Sequence, residues 1–158
     1  MLKKQICNVI MSEIFMKKFT IFLSIIIIIV CIVYALFLNY KSDYNMSKKE
    51  NYEFEKYLNE EIYGTDVTTL INRAVDSNEK NKVAKNNKGI YLNNDTNSIN
   101  IELKMIDSDD KYAMEKIYNG GIQNFINYYG EVKFKCIKKE YHKSTNKIKY
   151  ILFEQTSE

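Results

Sequence analysis

Residues 19–40 read FTIFLSIIIIIVCIVYALFLNY, and this stretch decides the layout of the chain. It carries no charge and is bounded by Lys18 and Lys41. As a helix, its 22 residues at about 1.5 Å each extend roughly 33 Å, enough to cross a hydrocarbon core of about 30 Å. Thr20 and Ser24 can return their hydroxyls to the helix backbone, so they oppose this little. Tyr34 and Tyr40 lie towards the far end, where aromatic rings favour the membrane interface. The five consecutive isoleucines at 25–29, in a run with no charged residue, argue against the buried helix of a soluble core. The stretch is predicted to be a transmembrane helix.

Upstream, Met16-Lys17-Lys18 looks like a translation start with a basic leader, which makes Met16 a candidate for the true start. A cleavable signal peptide is therefore the competing reading, with Val33-Tyr34-Ala35 as a tolerable cleavage signal. Leu36-Phe37-Leu38 continues the apolar run past that point, which favours a retained anchor. A lipoprotein signal is disfavoured, because Val30 precedes Cys31 where a small residue is needed. Lys3, Lys4, Lys17 and Lys18 precede the span, and Lys41, Lys48 and Lys49 follow it, so the charge asymmetry is small. A short amino-terminal tail before a long carboxy-terminal region favours placing the latter outside the cell.

Residues 41–158 hold 19 Lys+Arg against 19 Asp+Glu. That balance argues against nucleic acid as a partner, which calls for a basic face. The whole chain has 22 Lys, 18 Asn and 22 Ile against one Arg and four Ala, with no Pro. Such usage follows AT-rich codons and points to a low-GC Gram-positive bacterium, so an Asn/Lys-rich stretch signals codon drift before it signals a binding patch. Three distant cysteines exclude a disulfide scaffold.

Beyond a polar tether at 41–50, Phe54, Tyr57, Leu58 and Ile62 share one face of a helix predicted over 49–63, ended by Gly64 in a left-handed conformation. Thr65 or Asp66 then caps a second helix, in which Val67, Leu70, Ile71, Ala74 and Val75 form the cleanest amphipathic pattern in the chain. A polar connection spans 77–89. Residues 90–92 read as a short strand, and Ile99, Ile101, Leu103 and Met105 alternate as a half-buried one. Residues 112–118 fit a strand or a helix, with strand favoured. Ile122, Phe125, Ile126 and Tyr129 mark a short helix closed by Gly130. Val132, Phe134 and Cys136, then Ile148, Tyr150 and Leu152, form a terminal hairpin. The expected fold class is α+β: a transmembrane helix, then an antiparallel sheet of about five strands packed with about three helices. The expected divisions are 1–18, a short cytoplasmic tail; 19–40, the span; 41–50, the tether; and 51–158, an extracytoplasmic domain.

No catalytic or metal-binding set emerges from the sequence. His142, the only histidine, is expected at the surface beside a turn. Cys136 lies in the apolar phase of its strand and is expected as a small buried hydrophobe. Were that strand extended, Cys136 and His142 would stand about 20 Å apart, too far for a Cys–His pair. Asn93, Asp95 and Asn97 copy the opening spacing of a calcium loop, but Ser98 stands where it needs Gly and Lys104 where it needs Glu. Asp107, Asp109 and Asp110 read as a solvated turn. Tyr52, Tyr57, Tyr63, Tyr112, Tyr118, Tyr128 and Tyr129 form either ordinary half-buried aromatics or a surface for peptides or glycans. No cofactor is expected. The expected role is non-enzymatic binding or assembly at the cell envelope, with the lipid bilayer and an envelope protein as partners. The alternatives are a secreted protein after cleavage, or a small envelope enzyme using carboxylates such as Glu102 and Asp107.

The layout resembles that of type IV pilins and pseudopilins, in which an apolar amino-terminal helix leads into an antiparallel sheet domain. It departs from them where their leader site should lie: no glycine precedes Phe19, and the nearest glutamate, Glu13, comes before Lys17-Lys18. Residues 61–81, EIYGTDVTTLINRAVDSNEKN, are similar to segments of uncharacterised membrane-anchored proteins of clostridia and related bacteria. That resemblance implies a lineage and a single-span architecture, and no activity.

The full chain is expected to stay with the membrane fraction through carbonate and high-salt washes, whereas a fragment starting near Ser47 is expected in the soluble fraction. Amino-terminal sequencing of a medium species beginning at Leu36 would instead establish cleavage.

Overall fold

The computed structural model describes residues 2–106, 108 and 110–156, with side chains from residue 11 onward except 12 and 14. It divides at Asp43/Tyr44 into two units. The first unit is helical throughout its described residues, within helix α1, Leu2–Glu55. Every residue from Phe19 to Tyr40 is exposed. Thr20 and Ser24 donate their hydroxyls to the carbonyls of Lys17 and Thr20, each at 2.8 Å. This is one helix long and apolar enough to cross a membrane, and it lies near the amino terminus.

The second unit opens with the last turns of α1, so the expected tether at 41–50 is helical instead. Ser47 and Asn51 are buried there, and Phe54 joins the core. The remaining elements are β1 (Glu61–Tyr63), α2 (Gly64–Lys80), β2 (Asn100–Lys104), β3 (Lys111–Ala113), α3 (Met114–Asn119), α4 (Ile122–Tyr129), β4 (Lys133–Tyr141) and β5 (Ile148–Gln155). The strands form one sheet in the order β1-β4-β5-β2-β3. The expected α+β layout of five strands and three further helices is present. The sheet is mixed, because β2 pairs in parallel with β5 while every other pair is antiparallel.

Alternation sorts the sheet's two faces. Ile62, Ile101, Leu103, Phe134, Ile148, Ile151 and Phe153 share a core with Val67, Leu70, Ile71, Ala74 and Val75 of α2. The opposite face carries ion pairs between neighbouring strands: Lys104 with Glu154 at 2.8 Å, Lys111 with Glu102 at 3.7 Å and Lys133 with Glu61 at 3.9 Å. One face is thus packed beneath helices and the other is solvated and charged.

Several local expectations are corrected. The helix expected over 49–63 ends at Glu55, because Ile62 is needed in the sheet opposite Phe134. Gly64 is the first residue of α2, not a left-handed stop. A Cβ at Gly64 would lie 1.9 Å from the carbonyl oxygen of Tyr129, so glycine here admits the α4 backbone. Neither Thr65 nor Asp66 caps α2; Tyr63 holds the N-cap position without a side-chain bond. The helix runs on to Lys80, four residues into the expected connection. Residues 90–92 form only an isolated bridge, from Tyr91 to Lys85. Residues 112–118 divide between β3 and α3, because Met114 and Ile117, three apart, both turn into the core.

Leu70 is wholly buried, so Leu70→Ala is expected to cost about 2–5 kcal/mol in chemical denaturation. Gly64→Ala should destabilise by about 1–3 kcal/mol or more, since its clash is with backbone that no rotamer can relieve.

Candidate functional site

Three surface features could receive a ligand. The first is an apolar notch of about 110 Å³ lined by Leu103, Met105, Tyr112, Ile117, Phe125 and Tyr129. It lies where α3 and α4 meet the β2–β3 end of the sheet. None of the α4 residues is fully buried; Ile122, Phe125, Ile126 and Tyr129 are half-buried and Tyr128 is 80% exposed. Phe125 stacks at 5.1 Å from Tyr129 and 6.2 Å from Phe134, which ties the helix to the core. The notch is smaller than the roughly 300–1,000 Å³ of small-molecule pockets.

The second is a groove of about 290 Å³ between the end of α1 and α2, lined by Glu50, Glu53, Arg73, Asp76 and Lys80 among others. Arg73, the only arginine, donates to Glu53 and holds that carboxyl below the usual carboxylate range. Its charge is thus satisfied within the chain, and acids and bases alternate along the groove.

The third is the charged sheet face. The Tyr150 hydroxyl donates to Glu102, and burial, reinforced by that carboxylate, raises its pKa above the ordinary tyrosine value. Glu102 is thereby engaged by Tyr150 and Lys111. Its suggested partner Asp107 lies outside the described residues, as does Asp109.

His142 is corrected from surface to interior: it is 3% exposed, and its Nε2–H donates to the Ser98 carbonyl at 2.8 Å. It belongs to a polar framework that ties distant segments together. Asn78, fully buried, donates to the Ile99 carbonyl at 2.7 Å and accepts the Ile99 N–H at 2.8 Å. Asn51 does the same for the terminal hairpin, donating to the Asn146 carbonyl at 2.7 Å and accepting the Ile148 N–H at 2.9 Å. Tyr141 donates to Glu55 at 2.8 Å, and burial pushes its hydroxyl up to about 12. Asn94 accepts the N–H groups of Thr96, Asn97 and Ser98, so the loop that imitates calcium ligation is closed by its own amide.

Sequence reasoning missed His142, Asn78 and Asn51 because each answers a backbone group 21 to 97 residues away. No local pattern marks such a bond. Cys136 lies in the apolar phase, as expected, but is half-buried and not fully interior, and burial pushes its thiol up. Four of the seven tyrosines, Tyr52, Tyr63, Tyr118 and Tyr128, are exposed, while Tyr57, Tyr112 and Tyr129 pack against the core. Among the described residues no group of three or more His, Cys, Asp or Glu side chains could hold a metal ion.

No family model, curated protein or solved structure matches the chain.

Asn78→Ala would strand both buried backbone groups of Ile99 and is expected to destabilise by about 1–3 kcal/mol for each group left unpaired. Urea denaturation of this variant beside Asn81→Ala, on the same helix end and more exposed, checks the assignment.

Proposed function

We propose that the chain is a single-pass membrane protein whose α+β domain lies outside the cell and binds a protein of the envelope without catalysing a reaction. The observation that carries this reading is the contrast along the chain. Residues 19–40 leave every side chain exposed, whereas the unit from Tyr44 onward has a closed core of its own. About twenty exposed apolar side chains would be insoluble in water and stable in lipid. A neutral domain, a notch too small for most metabolites, and carboxylates engaged in ion pairs favour binding over catalysis. The half-buried aromatic helix α4 offers contact area of the kind seen at protein interfaces, where Tyr and Phe are enriched.

A pilin-like assembly subunit is one form of this role. The layout supports it, and the missing glycine before Phe19 argues for an anchor that is kept over one that is processed.

Protease added to intact, wall-stripped cells is expected to remove the region beyond Lys41 and leave a short membrane-bound stub. Protection until the membrane is opened would reverse the topology. Cross-linking in intact membranes followed by affinity capture should recover the same envelope protein in repeated preparations, and capture of the chain alone would count against a binding role.

A further inference from the structure

The sheet leaves uncovered edges on its outer strands, β1 and β3, and also along part of β4. β1 pairs with β4 only at Lys133, Phe134 and Lys135. Beyond them β4 continues to Tyr141 with β5 on one side and, among the described residues, no strand on the other. At the far end the Tyr141–Glu55 hydrogen bond closes the gap. Between these limits lie Ile137, Lys138, Lys139 and Glu140. Among the described residues, none of the four makes a backbone–backbone hydrogen bond outside the β4–β5 ladder. In an antiparallel strand alternate residues turn N–H and C=O away from the partner, so this edge presents backbone groups without a strand to meet them, of which the Lys138 carbonyl accepts from the Cys136 thiol at 3.5 Å.

The register shifts between Cys136 and Lys138, and Ile137 is 49% exposed at that irregularity. Lysines predominate around the gap: Lys138 and Lys139 lie within it, Lys135 and Lys143 beyond its two ends, and Lys149 on β5. The acids beside them are Glu140, paired with Lys138 at 2.7 Å, Glu61 and Glu154, which stand opposite Lys135 in register, and Glu55 on Tyr141. Among the described residues no ion pair forms to Lys135, Lys139, Lys143 or Lys149.

We propose that the uncovered edge of β4 at Ile137–Glu140 is a strand-addition site for an extended acidic polypeptide segment. An added strand would answer the outward backbone groups through main-chain hydrogen bonds, as in other β-augmentation sites. Its acidic side chains would meet the unpaired lysines, and an apolar residue would cover Ile137. Four residues at about 3.3 Å each give a contact roughly 13 Å long. This deepens the binding-domain reading and rests on the domain having a polypeptide partner; it does not depend on the side of the membrane. Lysines and a bulge are also the devices that protect an edge from pairing, so the experiment must separate a receptive edge from a guarded one.

The probe is a fluorescein-labelled octapeptide alternating Glu with Val or Thr, titrated onto the full chain in nanodiscs. Controls are the same peptide with Lys for Glu, and one with Pro at alternate positions, which removes the donors a strand needs. The expected result is saturable binding of the acidic peptide, absent for both controls. Lys139→Glu combined with Lys135→Glu should weaken it by about tenfold or more. Hydrogen exchange at Ile137–Glu140 should slow in the complex, a readout independent of any variant's folding. Failure to bind, or equal binding of the Pro-containing peptide without added protection, overturns the proposal: the edge is then guarded, or the lysines attract acids without strand pairing. An envelope partner that cross-links elsewhere on the domain would overturn the edge site alone, while a chain with no partner would overturn the binding role itself.

Discussion

The domain depends on the burial of one side of α2 against one face of the sheet. Val67, Leu70, Ile71, Ala74 and Val75 meet the inward residues of β2, β4 and β5. Each large side chain there contributes about 1.5–3 kcal/mol by leaving water. The outer strands have three residues each, and short strands with a solvated face are marginal alone, so the sheet relies on this helical cover. The close approach at Gly64 follows from the same constraint, because α2 must begin under the α4 carbonyls to reach the sheet.

Hydrophobic burial selects the packing, and buried polar side chains, two amides and an imidazole, fix which segments lie beside which. Asn78 secures the entry to β2, Asn51 secures the β4–β5 hairpin to the end of α1, and His142 secures the loop before β2 to the hairpin. An unpaired backbone group in these positions would cost more than the bond gains, so these side chains exclude alternatives more than they add stability. The last turns of α1 become part of the domain through Ser47, Asn51 and Phe54.

Much of this layout was legible in the sequence where periodicity is strong. The charge-free run at 19–40, the face of α2, the alternation from Ile99 to Met105 and the terminal hairpin all appear where expected, but past Ile148 strand β5 turns Ile151 and Phe153 into the core in place of Tyr150 and Leu152, because the register shifts at Glu140/Tyr141. What escaped was set by distant partners. Glu61–Tyr63 reads as a helix end until Phe134 is known to lie opposite Ile62. The parallel register of β2 with β5 joins residues about fifty apart. His142 looks solvated in KEYHKS because its partner, the Ser98 carbonyl, is invisible from its neighbours. The uncovered β4 edge was hidden likewise, since it exists only because β1 is short.

The proposed role gives α1 two environments: lipid around residues 19–40, and the domain's own core around Ser47, Asn51 and Phe54. Amide hydrogen exchange along α1, measured on the full chain in nanodiscs, tests it most directly. The account predicts slow exchange across 19–40, and slow exchange again from Ser47 to Phe54, the latter lost when Asn51→Ala and Leu70→Ala are combined. Exchange at 47–54 as fast as in an unstructured peptide, or at 19–40 as fast in nanodiscs as in water, would contradict it.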